Sequence, residues 1–477
     1  MLLESSTLEP NAGTSLQQAL IYTCPILPRQ TPKMDSISPP LIAAGAVRNL
    51  ARNWLILGVV ALLCSGLLAV LLVLSRTPGI QDVVPLRDFF RSALVIHVDL
   101  SVLIWFLAFA GTLWSLVSGE RWLLVARIGF WISAAGTALI TISPFAPEAQ
   151  PLMNNYVPVL IQPLFFFGLA LVGVGFGITA IRTLLLARPD GNAMTAGIWL
   201  SAVAGVIALV ACLFSWWRAP FELSGQHYYE VVFWGGGHAL QFQHTLLLGV
   251  SWLWLADTLG RGSTLTVRVW YLFFVLAALP LLAVPVYYLL YPPHSLEHMG
   301  AMAKLMEQGH LTMVPMIVGI AVMLPRLARL AHPAKSALFA SFGLFAIGGL
   351  LAFMIRGVNV VIPAHYHGSI VGVTLAFMGL AYVLLPKLGF APAEGRMARW
   401  QPYVYGGGQL LHILGLAWSG GYGVQRKVAG AEQALTTLPQ KLGMGMMGIG
   451  GLIAIIGGVM FVIVCLKAMS RRESSAS

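Results

Sequence analysis

Charge is what this chain has least of. Only 9% of its 477 residues are Asp, Glu, Lys or Arg, against 58% hydrophobic, and the mean hydropathy is +0.82. A water-soluble domain of this length is excluded, because it would need a charged surface. Carboxylates are the scarcer sign, with 17 acidic against 28 basic residues. In the inner halves of the apolar runs Asp257 stands almost alone, so no carboxylate-lined proton route is legible. Four cysteines (Cys24, Cys64, Cys212, Cys465) include no Cys-x-x-Cys pair. That excludes a covalently attached c-type heme and a cysteine-based metal site. No basic start followed by an apolar core opens the chain, so the first 47 residues do not read as a signal peptide. No internal repeat is visible.

What is present is a series of apolar runs, each roughly 20 residues long, long enough to cross a bilayer as a helix. They predict an all-α, polytopic membrane bundle of about twelve transmembrane helices: 53–75, 92–117, 123–143, 156–187, 196–217, 229–258, 268–291, 309–330, 335–356, 358–386, 402–422 and 443–467. Residues 1–47, rich in Ser, Pro and Thr, read as a disordered extension, with Met34 as an alternative start. Residues 48–470 form the membrane domain and 471–477 a cytoplasmic tail. Arg48, Arg52, Arg182, Arg188, Arg326, Lys335, Lys387, Arg399, Lys467 and Arg471 fall on one side, which places both termini in the cytoplasm. The net charge of +11 is this topological bias, and calls for lipid around the chain rather than nucleic acid.

Histidine carries the chemistry. In Pro363-Ala-His365-Tyr366-His367 two imidazoles lie two residues apart on one helix and project about 200° apart. They cannot share a site and must face different neighbours. Imidazole within a membrane is costly without a partner, and heme iron is a common one. His97, His238 and His294 are expected in the same outer part of the bilayer, within roughly 15 Å in depth. His244 lies off the face of His238; His298 and His310 read as loop or helix-end residues, and His412 is unassigned. Gly235-Gly236-Gly237 before His238 suit close approach by a flat group or by another helix. Arg426 and Lys427, after the eleventh span, are candidates to neutralise heme propionates.

With these motifs the chain resembles the catalytic subunit of the heme-copper oxidase superfamily, which includes nitric oxide reductases. Ala364-His-Tyr-His367 is similar to the family's span-10 His-x-His helix, and Trp234-Gly-Gly-Gly-His238 to its span-6 motif. His97 matches the span-2 ligand, and Gly423-Val-Gln-Arg-Lys427 the basic signature after span 11. The resemblance implies two hemes and a copper, or alternatively a non-heme iron. His97 and His367 would be axial ligands of a low-spin heme, and His365 the proximal ligand of a high-spin heme. His238 and His294 would hold the facing metal. It also implies an integral multi-pass protein of a prokaryotic plasma membrane, fed with electrons by a partner subunit or a soluble cytochrome or cupredoxin.

Two departures stand out. The family's His-His pair after span 7 reads His294-Ser295 here, so a third metal ligand must come from His298, Gln241 or a water on Ser295. The span-6 tyrosine is replaced by Phe242, while Tyr288 resembles the catalytic span-7 tyrosine of C-type oxidases. Tyr288 favours reduction of dioxygen to water; the broken pair and Gln241 favour nitric oxide reduction. A reading from another class is a transporter that relays protons or substrate through membrane histidines. A heme carrier without catalytic metal is a third.

Overall fold

In lipid every backbone polar group must find its partner within the protein, so apolar runs of this length close their hydrogen bonds as helices. The computed structural model describes residues 37, 39–40, 45–75, 87–189, 191–260, 263, 265–426 and 435–471, all within one compact unit. Most of the expected N-terminal extension, Met34, Lys427 and the tail beyond Arg471 lie outside the described residues.

The first three expected spans become α1 (Ala46–Ser75), the pair α2 (Arg87–Val98) and α3 (Trp105–Val117), and α4 (Leu123–Ile142). Between α2 and α3, Asp99–Ile104 is wound as a π-helix. Next comes a two-stranded antiparallel hairpin, β1 (Gln150–Leu152) with β2 (Val159–Ile161), in the register Gln150↔Ile161. The fourth span is expected from residue 156, but α5 (Pro163–Leu186) starts after Gln162, whose side chain caps it by accepting from the Phe165 amide. Then follow α6 (Ala193–Arg218), α7 (Gly225–Thr258), and α8 (Val267–Ala278) with α9 (Ala283–Leu290), interrupted at Pro280.

The helix α10 (Leu296–Gly309) falls in a stretch left between expected spans. Its N-cap is Ser295, whose side chain accepts from the His298 amide. A short 3₁₀ turn, His310–Met313, leads into α11 (Val314–Leu327), where Pro315 lacks the N–H needed to continue α10 unbroken. The remaining crossings are α12 (Pro333–Ala352), α13 (Val361–Lys387), α14 (Gly395–Gly421) and α15 (Leu438–Met469).

Among the described residues ten segments are long and apolar enough to cross a membrane. α7 and α14 are equally long but more polar, which brings the crossings to twelve. α13 is the most enclosed of the ten: 89% of its most apolar stretch is buried, against 67% or less in the other nine. It packs on α7, α12 and α14. α14 and α15 meet backbone to backbone, since a Cβ on Gly408 or Gly450 would touch the main chain opposite.

Candidate functional site

α13 presents His365 and His367 to different neighbours. The His365 Nδ1 meets the Gly348 carbonyl of α12 at 2.8 Å. The His367 Nδ1 meets the Pro363 carbonyl at 2.8 Å, and its ring lies 5.2 Å from that of His412 on α14. His97 is close enough for its charge to act on His367. The Nδ1 of His97 reaches the Ser65 carbonyl of α1 at 2.9 Å, while the Ser65 hydroxyl donates to the His97 carbonyl at 3.0 Å.

Each carbonyl can only accept, so each Nδ1 must carry the proton and each Nε2 is left with its lone pair. This is the tautomer an iron ligand needs, oriented by a main-chain partner. His97, His365 and His367 are each half-buried rather than sealed within the core. The imidazoles therefore fit heme. Arg426 lies at the same end: its charge reaches Tyr366, between the two histidines, and it donates to Asn155 of the hairpin.

The expected second metal ligand is corrected. His294 is exposed on the turn before α10, and its neighbour Ser295 is a helix cap rather than a lost ligand position. The imidazoles near His238 are His298 and His310, both close enough to act electrostatically on it. His298 is fully buried with neither ring nitrogen in a hydrogen bond, only a looser approach to the Pro293 backbone. His310 stacks on Phe242 at 4.3 Å and also acts on His365. Twelve residues of largely α-helical rise, about 18 Å, separate His298 from His310, so the two cannot ligate one ion. His310 lies within electrostatic reach of both His238 and His365. The backbone of Gln241 approaches His310. Among the described residues no three His, Cys, Asp or Glu side chains are assembled in metal-binding geometry. Three imidazoles thus present Nε2 with Nδ1 fixed, whereas no set of donors for a further metal is assembled among the described residues.

The triple glycine has three separate uses. A Cβ on Gly236 would fall on the Cys212 sulfur and the Ala208 carbonyl, so this glycine sets the approach of α6 to α7. Gly235 admits the Tyr288 hydroxyl, and Gly237 admits the ring of Tyr156. The Tyr288 hydroxyl donates to the Ala211 carbonyl at 3.1 Å and meets Ser215 at 2.8 Å; its ring lies 4.6 Å from His298.

Tyr156 carries no signal in the sequence. It sits in the hairpin turn, 82 residues from His238, and its hydroxyl is 3.0 Å from the His238 Nε2. The His238 Nδ1 is held by the Trp234 carbonyl at 2.6 Å, so Nε2 accepts and the phenol donates. Burial first, and Glu230 second, raise the Tyr156 pKa above the ordinary tyrosine value, which keeps that phenol protonated. Asp99 is equally silent in the sequence: it is buried in the π-helix two residues beyond His97, with both carboxylate oxygens outside any hydrogen bond.

Comparison with known proteins agrees with this geometry. Residues 49–460 match the sequence model of the family described as "Cytochrome C and Quinol oxidase polypeptide I". An uncharacterised protein of Rickettsia prowazekii is 33% identical, over 88% of this chain and 96% of its own length. An uncharacterised protein of Aquifex aeolicus is 28% identical, over 73% of this chain and 88% of its own. The fold is similar to a heme-copper terminal oxidase dimer solved by cryo-electron microscopy, with a TM-score of 0.69 at 15% identity, covering 91% of this chain and 86% of that one. This integral, multi-pass helical chain belongs to the heme-copper oxidase family and is a subunit I-like member of it.

Proposed function

We propose that the protein is a membrane-bound respiratory terminal reductase that passes electrons through a low-spin heme to a high-spin heme and non-heme metal, where dioxygen is reduced to water. The observation that carries this reading is the divergence of His365 and His367 on the deeply buried α13, each with Nδ1 on a carbonyl and Nε2 left to bind. When bound, the hemes and metal supply the electron transfer and substrate binding that no side chain here can supply.

The chain's own residues do the rest. His97 and His367 orient the low-spin heme, and His365 the high-spin one. His238 and His310, within electrostatic reach of each other, and His310 of His365, would take the place of the expected His238–His294 pair. Tyr288 remains the candidate catalytic tyrosine, as a source of one electron and one proton. Arg426, on the face expected to be outer, offers a guanidinium to a heme carboxylate. With no cysteine metal motif or c-type heme motif in the sequence, electrons come from a partner subunit or a soluble cytochrome or cupredoxin.

One observation favours a second reading, nitric oxide reduction by the same architecture: among the described residues no three donor side chains are assembled for a metal, which suits iron completed by a further oxygen donor as well as copper. The deciding experiment supplies reduced protein with dioxygen and, separately and anaerobically, with nitric oxide. Rapid four-electron dioxygen uptake is expected. Nitrous oxide formation with negligible dioxygen uptake would reverse the assignment, and copper and iron analysis of the same sample identifies the metal.

A further inference from the structure

The turn after α13 lies between the start of α1 and the end of α15, which pack on each other. Gly389 in this turn has φ +85°, and a Cβ on it would stand 4.0 Å from the guanidinium carbon of Arg48. The guanidinium carbon of Arg52 lies over the next residue, Phe390, 5.0 Å from the ring centre. The Ala391 amide donates to the Ala468 and Arg471 carbonyls at 3.2 and 3.1 Å. The end of α15, with Lys467 and Arg471 exposed, therefore borders the same turn.

Arg48 and Arg52 are one turn apart on α1, the spacing at which like charges repel. Both are half-buried. The Arg52 Nε is buried without a hydrogen-bond partner, a costly state for a charged donor. Among the described residues neither arginine is in an ion pair or a hydrogen bond. The helix ends beside them do not serve: the Leu384, Leu385 and Pro386 carbonyls already accept from the amides of Leu388, Gly389 and Phe390. Two carboxylates expected on this face are engaged elsewhere, Asp257 within electrostatic reach of Lys387 and Glu394 of His332.

We propose that Arg48 and Arg52 form the headgroup site of an anionic phospholipid. Two guanidiniums one turn apart can each present a fork of N–H donors to one phosphodiester. Lys467 and Arg471 add positive charge, which selects a net-negative headgroup over a zwitterionic one. From this turn α1 and α15 run on into the apolar layer with Val60, Leu67, Val459 and Leu466 exposed, and these side chains receive the acyl chains. That continuity of basic turn and apolar helix faces assigns the site to a lipid rather than to free phosphate.

The test uses the full-length chain, stripped of lipid in detergent, titrated with phosphatidylglycerol in mixed micelles and followed by native mass spectrometry. Phosphatidylglycerol should bind at least about tenfold more tightly than phosphatidylcholine, and inorganic phosphate should not displace it. Arg48→Gln combined with Arg52→Gln should weaken phosphatidylglycerol binding by about tenfold or more, the loss expected for charge-assisted hydrogen bonds. Arg52→Lys keeps the cation over Phe390 but loses the planar fork. It should weaken binding a few-fold, and it tests the site even if the double variant fails to fold. Arg326→Gln, which removes an exposed charge expected on the same membrane face, should leave binding unchanged. Equal binding of the two lipids, displacement by inorganic phosphate, affinity retained in the arginine variants, or an equal loss in Arg326→Gln would each overturn the site.

Discussion

A histidine whose Nδ1 meets a main-chain carbonyl has its tautomer decided by the backbone, and here that holds for His97, His238, His365, His367 and His412. His97→Ala should abolish the sharp low-spin band of the reduced protein while the bundle still assembles; an unchanged spectrum would refute the axial assignment. For the metal, His310→Ala should lower turnover by more than about a hundredfold, beyond the loss typical of an outer-shell partner. His294→Ala, at an exposed position, should change stability by no more than about 0.5 kcal/mol and leave activity intact. Steady-state assays of the two variants side by side separate the ligand expected from the sequence, His294, from the one proposed here, His310. Gly235 gives a packing test. Gly235→Ala drives a methyl group against the Tyr288 hydroxyl, at a cost of about 1–3 kcal/mol. Adding Tyr288→Phe should recover part of that loss in thermal denaturation, because the oxygen in closest contact is gone while the ring carbon behind it stays near.

Helices enter the site through their contacts as much as through their side chains. The carbonyl that orients His365 belongs to Gly348, and a Cβ there would run into the main chain of Gly368 and Ser369. Gly348→Ala should push α12 off α13 and weaken the hold on His365. The expected result is loss of high-spin heme with the low-spin heme retained, read from heme content and the reduced spectrum. Both hemes unchanged would mean that α12 does not orient His365. The breaks between helices have local chemical causes. Pro280 and Pro315 each lack an amide proton, and Ser295 offers a capping oxygen, so the chain there is kinked or capped rather than continuous. Broken helices are one mark of the transporter alternative. In this family member they position α10 and His310 instead.

Across the whole molecule, twelve crossings are expected to leave both ends on one side of the membrane. Tags fused to the N- and C-termini should both be protected in right-side-out vesicles and both become accessible after permeabilisation. Accessibility of one alone would mean an odd number of crossings. The two helices too polar to satisfy a hydropathy criterion, α7 and α14, are those bearing His238 and the glycines facing α15. Polarity within the bilayer here marks the site and its packing rather than an extramembrane segment.

Taken alone, the sequence settles whatever depends only on distances along the chain. Runs of apolar residues determine helices because lipid offers the backbone no partner, and the two-residue spacing of His365 and His367 determines that they diverge because a helix turns about 100° per residue. Which groups meet across elements is decided by tertiary structure. Ser295 reads as a missing ligand until the cap of α10 is seen, and His310 reads as a helix end until Phe242 and His365 are placed beside it. Tyr156 has no local signal at all: it comes from a hairpin turn, and only the space left by Gly237 brings its hydroxyl to His238. Contacts of that kind depend on three-dimensional closure between residues far apart in the chain, and neither periodicity nor composition encodes them.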